Sequence, residues 1–538
     1  MQDLRAELAR RRAQLSDHHR TLLEQRLNAP ADPTAQGLAI PVRAANIPIP
    51  LSFAQQRIWF FDQFNPGNPA HHIAAALRLS GRFDLPAINQ ALTALQMRHA
   101  VLRTCFPAAD GVPLQVIAAA APYQAQIHDL SDLPLSEREA RMLQLVQVRS
   151  QLPFDLDNGP VWRAEVIRLM PTEHVVLLVL HHIVCDGWSW GVLVHDLSTL
   201  YNSGVQNVPA ALPPLVIEYA DYAVWQRSQA AVGQLKAQLD YWHRQLQTLP
   251  PPLILPADYA LSAPARRDKC WLTLTLPGEL RGELEQLSRT LGCTPYMALL
   301  AAFKLLLYRY THQTDVVVGT LIANRTRPEV EPLIGICINL LILRTDLAGQ
   351  PPLRELVQRV RAVAEAAYAN QDVPIEQLID VLQPARDLHR PPLCNVLFVF
   401  QNTAMPAAQL AGLDVSVVPA PKWSTEFDLA LEVTDTSAGC VLAVEYCAAE
   451  YREATIVRLL EHYQLILAAL VANPEQRLDD VALVSAAEWN QICAWNATQS
   501  PLPPFDHWAA WFAAQVAHSP HAIAVSSADT SLTYAALN

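Results

Sequence analysis

Two adjacent histidines, His181 and His182, stand at the end of a run of apolar residues, VVLLVL. Asp186 and Gly187 follow four and five residues after His182. An imidazole with a pKa of about 6.5 can accept a proton at neutral pH, which is what general base catalysis requires. This short segment is therefore the first place in the chain where chemistry is expected.

The elements on either side predict how the histidines are presented. The run of Val and Leu is typical of a strand buried on both faces (173–180), and the residues after Gly187 are typical of a helix (188–202). A polar loop at the end of such a strand is where the sites of α/β proteins usually lie. We therefore expect His182 to lie at a strand-to-helix junction that faces a ligand.

Three interpretations of the histidine pair are open at this point. A lone buried histidine is most often a satisfied core residue, although the doubling and the Asp-Gly that follows weigh against this. A metal site would need further ligands at a compatible spacing, and neighbouring strand residues point to opposite faces. The third interpretation is a proton-managing general base. Since no activated Ser or Cys nucleophile is evident, the substrate would supply one, which indicates acyl transfer to an amine or hydroxyl.

Composition narrows the class of protein. A length of 538 residues predicts about three domains or lobes, and a net charge of −12 without a stripe of Lys and Arg argues against a nucleic-acid partner. Nine cysteines without a CxxC pair indicate neither a zinc site nor a disulfide framework, which fits a reducing cytoplasm. The longest lipophilic stretch (297–310) contains Lys304 and predicts a buried helix instead of a membrane span.

The order of predicted elements is that of a mixed α/β protein. Residues 1–28 are typical of one or two helices, and a Pro-rich linker follows them. A second apolar strand that ends at a polar turn, DVVVGTLIANR (315–325), carries no histidine, which suggests two related lobes of which one holds the chemistry. The last residues (496–538) begin with a proline-containing linker and stop as a helix begins, the pattern of a segment cut from something longer.

The segment HHIVCDG resembles the HHxxxDG motif of the condensation domains of nonribosomal peptide synthetases, which are relatives of the CoA-dependent acyltransferases. The similarity spans about residues 46–485, and further stretches resemble the family's other motifs in the same order: SFAQQRIWFF (52–61), RHAVLRTCF (98–106), PFDLDNGPVWR (153–163), YADYAVWQ (219–226), IGICINLLILR (334–344), NQDVPIEQLI (370–379) and RDLHRPPLCNVLF (386–398). The chain departs from the family's usual residues at four positions: Ala100 replaces an acid, Cys337 an aromatic residue, Asn370 a histidine and Ile375 a phenylalanine.

The resemblance implies a fold and a domain organisation. The fold class is α/β (α+β mixed), with two chloramphenicol-acetyltransferase-like lobes in a V-shaped pseudo-dimer. WNAT, AQVAHSPHAIAV and LTYAALN resemble the opening of an adenylation domain. The expected segments are N-terminal helices and a Pro-rich linker (1–45), an N-lobe (46–215), a C-lobe (216–485), and a linker with a truncated start of an adenylation domain (486–538).

The resemblance also implies roles for the residues around the motif. His182 is the expected catalytic residue, at which the α-amine of an acceptor aminoacyl thioester attacks the carbonyl of a donor acyl thioester. Whether it is a full base or chiefly positions the nucleophile stays open. His181 is expected to pack inside, Asp186 to pair with Arg98 and fix the loop, and Gly187 to allow a close backbone approach or an unusual dihedral.

Three supporting residues are expected outside this loop. Arg103 belongs to the RHAVLRTCF stretch, Trp225 is expected in the core or at the lobe junction, and Asn339 near the substrate tunnel. No metal and no permanently bound cofactor is implied, because the substrates are carried on phosphopantetheine, either of coenzyme A or of a carrier protein. The implied partners are an acyl-CoA or acyl carrier donor, a downstream peptidyl carrier protein and the adenylation domain of the same synthetase, in the cytoplasm and without nucleic acid or membrane.

The remaining hypotheses differ in the acyl donor and in the subtype of condensation domain. Because the chain begins at Met1 without a preceding carrier domain, we expect a starter condensation domain that joins a fatty acyl group, most simply from acyl-CoA, to the first amino acid (lipoinitiation). The alternatives are an elongating domain that takes an L-peptidyl donor from an upstream carrier in trans, and a non-catalytic interaction module. A heterocyclisation domain is disfavoured by the intact histidine pair, and an epimerisation domain by the adenylation-like segment that follows.

Overall fold

The structure, a computed structural model, describes residues 39–233, 235–259, 269–384, 391–401, 408–418, 427–436, 439–500 and 507–538. The predicted N-terminal helices and most of the predicted linker (1–45) lie outside the described residues. The chain divides into two compact units, Met1–Val481 and Ala482–Asn538. All the residues predicted to carry chemistry belong to the first unit.

The strands, in chain order, are β1 (Ile49–Pro50), β2 (His72–Gly81), β3 (Thr104–Cys105), β4 (Ala108–Ala109), β5 (Val112–Ile117), β6 (Gln126–Asp129), β7 (Trp162–Met170), β8 (Glu173–His181), β9 (Lys269–Thr275), β10 (Asp315–Ile322), β11 (Asn339–Asp346), β12 (Val396–Gln401), β13 (Leu413–Val418), β14 (Leu429–Thr436), β15 (Gly439–Cys447), β16 (Ile523–Ser526) and β17 (Ser531–Thr533). The helices are α1 (Phe53–Phe64), α2 (Leu85–Arg98), α3 (Leu135–Gln151), α4 (Gly187–Gln206), α5 (Tyr219–Ala231), α6 (Lys236–Leu246), α7 (Gly278–Thr290), α8 (Pro295–Thr311), α9 (Leu353–Ala369), α10 (Ile375–Leu382), α11 (Glu453–Ala472), α12 (Ala486–Asn496), α13 (Trp508–His518) and α14 (Tyr534–Leu537). The predicted mixed α/β fold is confirmed.

The histidine pair lies in a sheet with the strand order β13-β2-β8-β7-β6. Its central strand, β8, is buried on both faces, as a continuous apolar run predicts. Val176, Leu178 and Leu180 pack in a core with α2 and α4, whereas Val175 and Leu177 pack in a second core with α3. The strand is thus held from both sides, and its end at the histidines is fixed in position.

The second large sheet has the order β11-β10-β12-β14-β15-β9 and carries helix α8. This helix is the one predicted from the lipophilic stretch, and it is buried around most of its circumference. Its Lys304 is fully buried and donates hydrogen bonds to the Leu343 carbonyl oxygen (2.5 Å) and the Thr345 hydroxyl (2.8 Å). Burial lowers the pKa of this amine to about 7.

The sheet with the histidines takes one strand from the second half of the chain. Strand β13 pairs antiparallel with β2, from Leu413 opposite Gly81 to Val418 opposite Ala76. Residues predicted to belong to the C-lobe (216–485) therefore complete an edge of the N-lobe sheet, a crossing that the sequence does not predict.

Helix α11 is long and apolar enough to cross a membrane by length and composition, which alone is weak evidence. One face of the helix is buried in the first unit, and the Tyr463 hydroxyl donates a hydrogen bond to the Leu299 carbonyl oxygen (2.9 Å). The second unit contains α12, α13, the antiparallel pair β16-β17 and α14.

Candidate active site

The loop that carries His182 begins where β8 ends. His181 is the last residue of the strand, and a 3-10 turn follows over His182–Val184. Asp186 then caps α4, because its Oδ1 accepts a hydrogen bond from the Ser189 backbone N–H (2.7 Å). The predicted strand-to-helix junction is therefore present, and His182 stands half-buried within it.

The His182 ring has a defined tautomer. Its Nδ1 lies 2.7 Å from the Cys185 carbonyl oxygen. A carbonyl oxygen can only accept, so Nδ1 carries the proton, and in the neutral ring Nε2 is left with a free lone pair. This arrangement orients the imidazole and leaves Nε2 able to accept a proton or a hydrogen bond.

The surroundings of His182 favour the neutral ring. Burial lowers the pKa of His182 below its usual value, and the positive charge of Arg57 lowers it further. The hydrogen bond to the Cys185 carbonyl and the carboxylate of Asp186 oppose this shift. The direction is downward, so His182 is uncharged at neutral pH and can act as an acceptor.

His181 faces the protein interior. Its side chain is 1 % exposed, and its Nδ1 accepts a hydrogen bond from the Ile183 backbone N–H (3.2 Å), which fixes the turn that contains His182. The Nε2 atom lies 4.0 Å from Asp62 Oδ1. Burial lowers the pKa of His181 well below its usual value. These contacts agree with the expectation that His181 packs inside.

Asp186 is paired with Arg325, and the predicted pair with Arg98 is wrong. Asp186 Oδ1 lies 3.1 Å from Arg325 Nη2, and the carboxylate also accepts hydrogen bonds from the Ser189 hydroxyl (2.6 Å) and the Cys337 backbone N–H (2.9 Å). The carboxylate of this capping residue therefore points toward the segment between β10 and β11, because that segment supplies both a guanidinium and a backbone N–H.

Arg98 pairs with a different acidic residue, Asp196, which lies further along helix α4 than Asp186. Its Nε donates to Asp196 Oδ2 (2.9 Å), and its Nη1 donates to the Pro213 carbonyl oxygen (2.7 Å). His99 Nε2 lies 2.8 Å from the same Asp196 oxygen. Asp196 lies ten residues beyond Asp186, on the part of α4 that packs against α2, so Arg98 ties these two helices together and does not reach the loop.

Gly187 has neither the close backbone approach nor the unusual dihedral that was predicted for it. It is the first residue of α4, its φ lies outside the left-handed region, and a Cβ at this position would meet no atom within 4 Å. The close approach is found at another glycine. A Cβ on Gly335 would lie 1.9 Å from the Tyr219 ring, whose hydroxyl donates to the Ile336 carbonyl oxygen (2.6 Å).

Two of the other supporting residues make contacts outside the loop that carries His182. Arg103 donates to the backbone oxygens of Gln96 (3.3 Å) and Ala118 (2.5 Å). Trp225 is partly buried at the edge of the core, with the guanidinium of Arg327 4.8 Å above its ring.

Asn339 organises the backbone before α10. Its Nδ2 donates to the carbonyl oxygens of Gln371 (3.0 Å) and Val373 (2.7 Å), and its Oδ1 accepts from the Ile375 N–H (3.1 Å). The residue after Ile375, Glu376, lies 3.1 Å from Arg57 Nε, so α10 meets α1 beside the loop that carries His182.

Sequence reasoning missed three members of this site: Arg325, Arg57 and His71. Arg325 ends the stretch DVVVGTLIANR, and a charged residue directly after a buried strand was the available signal. Arg57 and His71 gave no comparable signal, since their proximity to His182 depends on how α1 and the 3-10 turn Pro69–His71 pack. Among the residues that the structure describes, no group of three or more His, Cys, Asp and Glu side chains is arranged to hold a metal ion.

The sequence and the fold of the chain are similar to those of known proteins. The family model described as "Condensation domain" matches residues 47–493. One of the proteins that make up linear gramicidin synthase of Brevibacillus parabrevis is 39 % identical over 519 residues, which are 96 % of this chain and 10 % of that protein. The chain therefore spans about a tenth of the length of this relative.

Two solved structures illustrate the similarity of fold. The X-domain from teicoplanin biosynthesis is 28 % identical with a TM-score of 0.76, and the match covers 82 % of this chain and 99 % of that one. The starter condensation domain of rhizomide synthetase, in complex with C8-CoA, is 20 % identical with a TM-score of 0.69, covering 81 % and 98 %. At 20 % identity, the second likeness concerns the fold alone.

Proposed function

The chain belongs to the condensation domain family, and from this membership we propose that it forms an amide bond between a donor acyl thioester and the α-amine of an aminoacyl thioester on a downstream carrier protein. The observation that carries the proposal is the free Nε2 of His182, since Nδ1 is occupied by the Cys185 carbonyl oxygen (2.7 Å). A neutral imidazole with one free lone pair is suited to hold or take a proton of an attacking amine.

The proposed step balances as an acyl transfer. The amine nitrogen attacks the thioester carbonyl carbon, and His182 Nε2 accepts a hydrogen bond or the proton from that nitrogen. The tetrahedral intermediate collapses with cleavage of the C–S bond. The thiolate leaves and takes up the proton, so the products are an amide and a free phosphopantetheine thiol.

Two properties support this role, one of the substrate amine and one of the site. An α-amine has a pKa of about 7.7–8.0 and is partly protonated at neutral pH, so a neutral acceptor beside it is needed. The lowered pKa of His182 keeps the ring in that acceptor form. Holding both thioesters in the orientation for attack can contribute as much to the rate as the proton transfer does.

For the donor, we propose a fatty acyl thioester, with acyl-CoA as its simplest form. Coenzyme A ends in the same phosphopantetheine thiol that a carrier protein presents, so a site that accepts one can accept the other. An apolar tunnel would gain about 0.8 kcal/mol for each methylene it buries, which is enough for a preferred chain length. The second candidate is an L-peptidyl donor on an upstream carrier, favoured by the 39 % identity to a protein of linear gramicidin synthase.

In the experiment, the protein is incubated with a defined aminoacyl thioester and each of a series of acyl-CoAs with chains of two to sixteen carbons. The products are detected by mass spectrometry. An N-acylated product with one preferred chain length supports the fatty acyl donor. Product only from a peptidyl-loaded carrier shows the elongating type. No amide from either donor would contradict the proposed function and favour an interaction module.

A further inference from the structure

Helix α1 packs on the turn that carries His182 and holds the residue that follows it. Gln55, in the first turn of this helix, is fully buried, and its Nε2 donates a hydrogen bond to the Ile183 carbonyl oxygen (3.3 Å). The orientation of the amide is fixed, because its Oε1 accepts a hydrogen bond from the Ser52 backbone N–H (3.0 Å) and a reversed amide would face that group with a second donor. Gln55 therefore connects the start of α1 to the His182 turn in one defined geometry.

The backbone N–H of Ile183 is held by His181. Nδ1 of His181 accepts the hydrogen bond from this N–H (3.2 Å), so in the neutral ring the proton is carried by Nε2. Among the residues that the structure describes, this buried Nε2–H has no hydrogen-bond partner. A carboxylate lies beside it, because Asp62 Oδ1, on the last turn of α1, is 4.0 Å from Nε2. The negative charge of Asp62 favours a proton on Nε2, which is the tautomer that the bond to Ile183 requires.

The ring of His182 takes its orientation from the same turn. Its Nδ1 lies 2.7 Å from the Cys185 carbonyl oxygen, and the Cys185 N–H donates to the His182 carbonyl oxygen (3.4 Å). A displacement of Ile183, which lies between these two residues, would therefore move the carbonyl oxygen that orients the ring. The free Nε2 would move with it, and a displacement of about 1 Å at a reacting group can cost about 100-fold in rate.

Building on the proposed amide-forming function, we propose that Gln55 and Asp62 are positioning residues, which hold the two backbone groups of Ile183 and thereby the Nε2 atom of His182. Gln55 acts on the carbonyl group directly. Asp62 acts on the N–H group through the tautomer of His181. Neither residue takes part in the reaction itself, since each acts on the rate only through His182.

The test measures how one substitution depends on another. Gln55→Met keeps the length of the side chain and removes its hydrogen bonds. In the wild-type background we expect kcat for amide formation to fall about 10-fold, with KM for the aminoacyl thioester unchanged within about 2-fold. In a His182→Ala background, the same substitution should change the residual rate by less than about 2-fold, because the residue that Gln55 positions is absent. A merely structural role would lower both rates by the same factor.

Gln56→Met is the matched control. Gln56 is the next residue of α1, but it is exposed, and its Oε1 accepts a hydrogen bond from Arg227 Nη2 (2.5 Å). This variant should keep the wild-type kcat. Asp62→Asn keeps the size of the side chain and removes its charge, so it should lower kcat about 3-fold and lose this effect in the His182→Ala background. If Gln55→Met does not fold, Asp62→Asn carries the same comparison.

A second measurement does not depend on turnover. The NMR chemical shifts of the two ring nitrogens distinguish the tautomers of a histidine, and comparison with His181→Gln assigns the signals of His181. We expect the proton on Nε2 in the wild type and a larger fraction on Nδ1 in Asp62→Asn.

Three results would overturn the positioning role and leave the proposed function standing. They are a wild-type His181 with its proton on Nδ1, equal losses of rate in the two backgrounds, and a folded Gln55→Met variant with the kcat of the wild type. Absence of amide from the wild type would overturn the proposed function and, with it, the positioning role.

Discussion

Asp186 Oδ1 lies 3.1 Å from Arg325 Nη2, and the two side chains are 0 % and 1 % exposed. Asp186 caps the helix that follows the loop with His182, whereas Arg325 lies just beyond strand β10 of the other large sheet. Arg325 is held in turn by the carbonyl oxygens of Val330 and Leu333, each 2.7 Å from its Nη1. This buried ion pair therefore joins the loop that carries His182 to the second half of the first unit.

The first prediction concerns this pair. Asp186→Asn should destabilise the protein by about 3–5 kcal/mol, because Arg325 would remain buried without a countercharge. Denaturant unfolding measures the change directly. The double variant Asp186→Asn, Arg325→Met should lose less than the sum of the single variants, because it leaves no unpaired buried charge.

Arg98→Ala serves as the comparison for this variant. Its partner Asp196 keeps His99 at 2.8 Å, and Arg98 is itself 15 % exposed, so the loss should be smaller than for Asp186→Asn. If Asp186→Asn unfolds like the wild type but is inactive, Asp186 has a chemical role and the structural assignment is wrong.

The second prediction concerns the contact of Gly335 with Tyr219. Gly335→Ala should destabilise the protein by at least about 1–3 kcal/mol, because the new Cβ would overlap the ring of a buried tyrosine whose hydroxyl is hydrogen-bonded. Gly282→Ala is the control, since Gly282 lies inside helix α7 with no atom within 4 Å of the new Cβ. It should stabilise the protein by about 0.5–1 kcal/mol. Equal thermal stability of the two variants would show that the Tyr219 contact is not tight.

The third prediction is a loss of stability in mild acid. Burial lowers the pKa of several histidines: His71, His72, His99, His174 and His181. Below pH 6.5 the unfolded chain binds more protons at these sites than the native state does, so stability should fall as the pH falls from about 6.5 to 5.5. Each neutral buried histidine contributes at most about 1.4 kcal/mol per pH unit.

Unfolding curves at pH 7.5, 6.5 and 5.5 measure this dependence, and His181→Gln should reduce it. Stability that stays constant over this interval would mean that these rings are not held neutral.

The fourth prediction concerns the pH dependence of turnover. The proposed role requires a neutral His182, and the pKa of His182 is lowered. We therefore expect kcat to fall only below pH 6.5 when the acceptor is an α-hydroxyacyl thioester, which does not itself titrate in this range. Arg57→Gln removes a positive charge near His182 and should move the acid limb to higher pH. An acid limb that stays in place in this variant would show that Arg57 does not act on His182.

Local patterns in the sequence were sufficient to predict the strand that leads into His182. A long run of β-branched and leucine residues predicted β8, and the apolar stretch with Lys304 predicted α8, because both signals are contained in the segments themselves. The predicted partner of Asp186 was wrong because several arginines were available and spacing along the chain does not show which of them the cap faces. The pairing of β13 with β2 joins residues more than 300 positions apart, and nothing in the short alternating segment LDVSVV indicates which sheet it completes.

His71 illustrates the same limit at the site. It lies in the 3-10 turn Pro69–His71 that leads into β2, with its ring centroid 6.1 Å from that of His181. The sequence does not show where this turn lies, because the pairing of β2 with β8 that follows it depends on packing of the whole sheet. Chemistry located on one short motif is therefore predictable, whereas chemistry shared between distant strands requires the fold.

The most direct test of the account is the rate of amide formation by His182→Ala, followed by mass spectrometry with a loaded aminoacyl thioester and an accepted donor. The ring is half-buried and its loss leaves the Asp186–Arg325 pair intact, so the melting temperature should stay close to that of the wild type. We predict a rate about 10²- to 10⁴-fold below that of the wild type, the usual size for a proton-handling side chain. A folded His182→Ala variant that forms the amide at the wild-type rate would contradict the assignment of His182 as the catalytic residue.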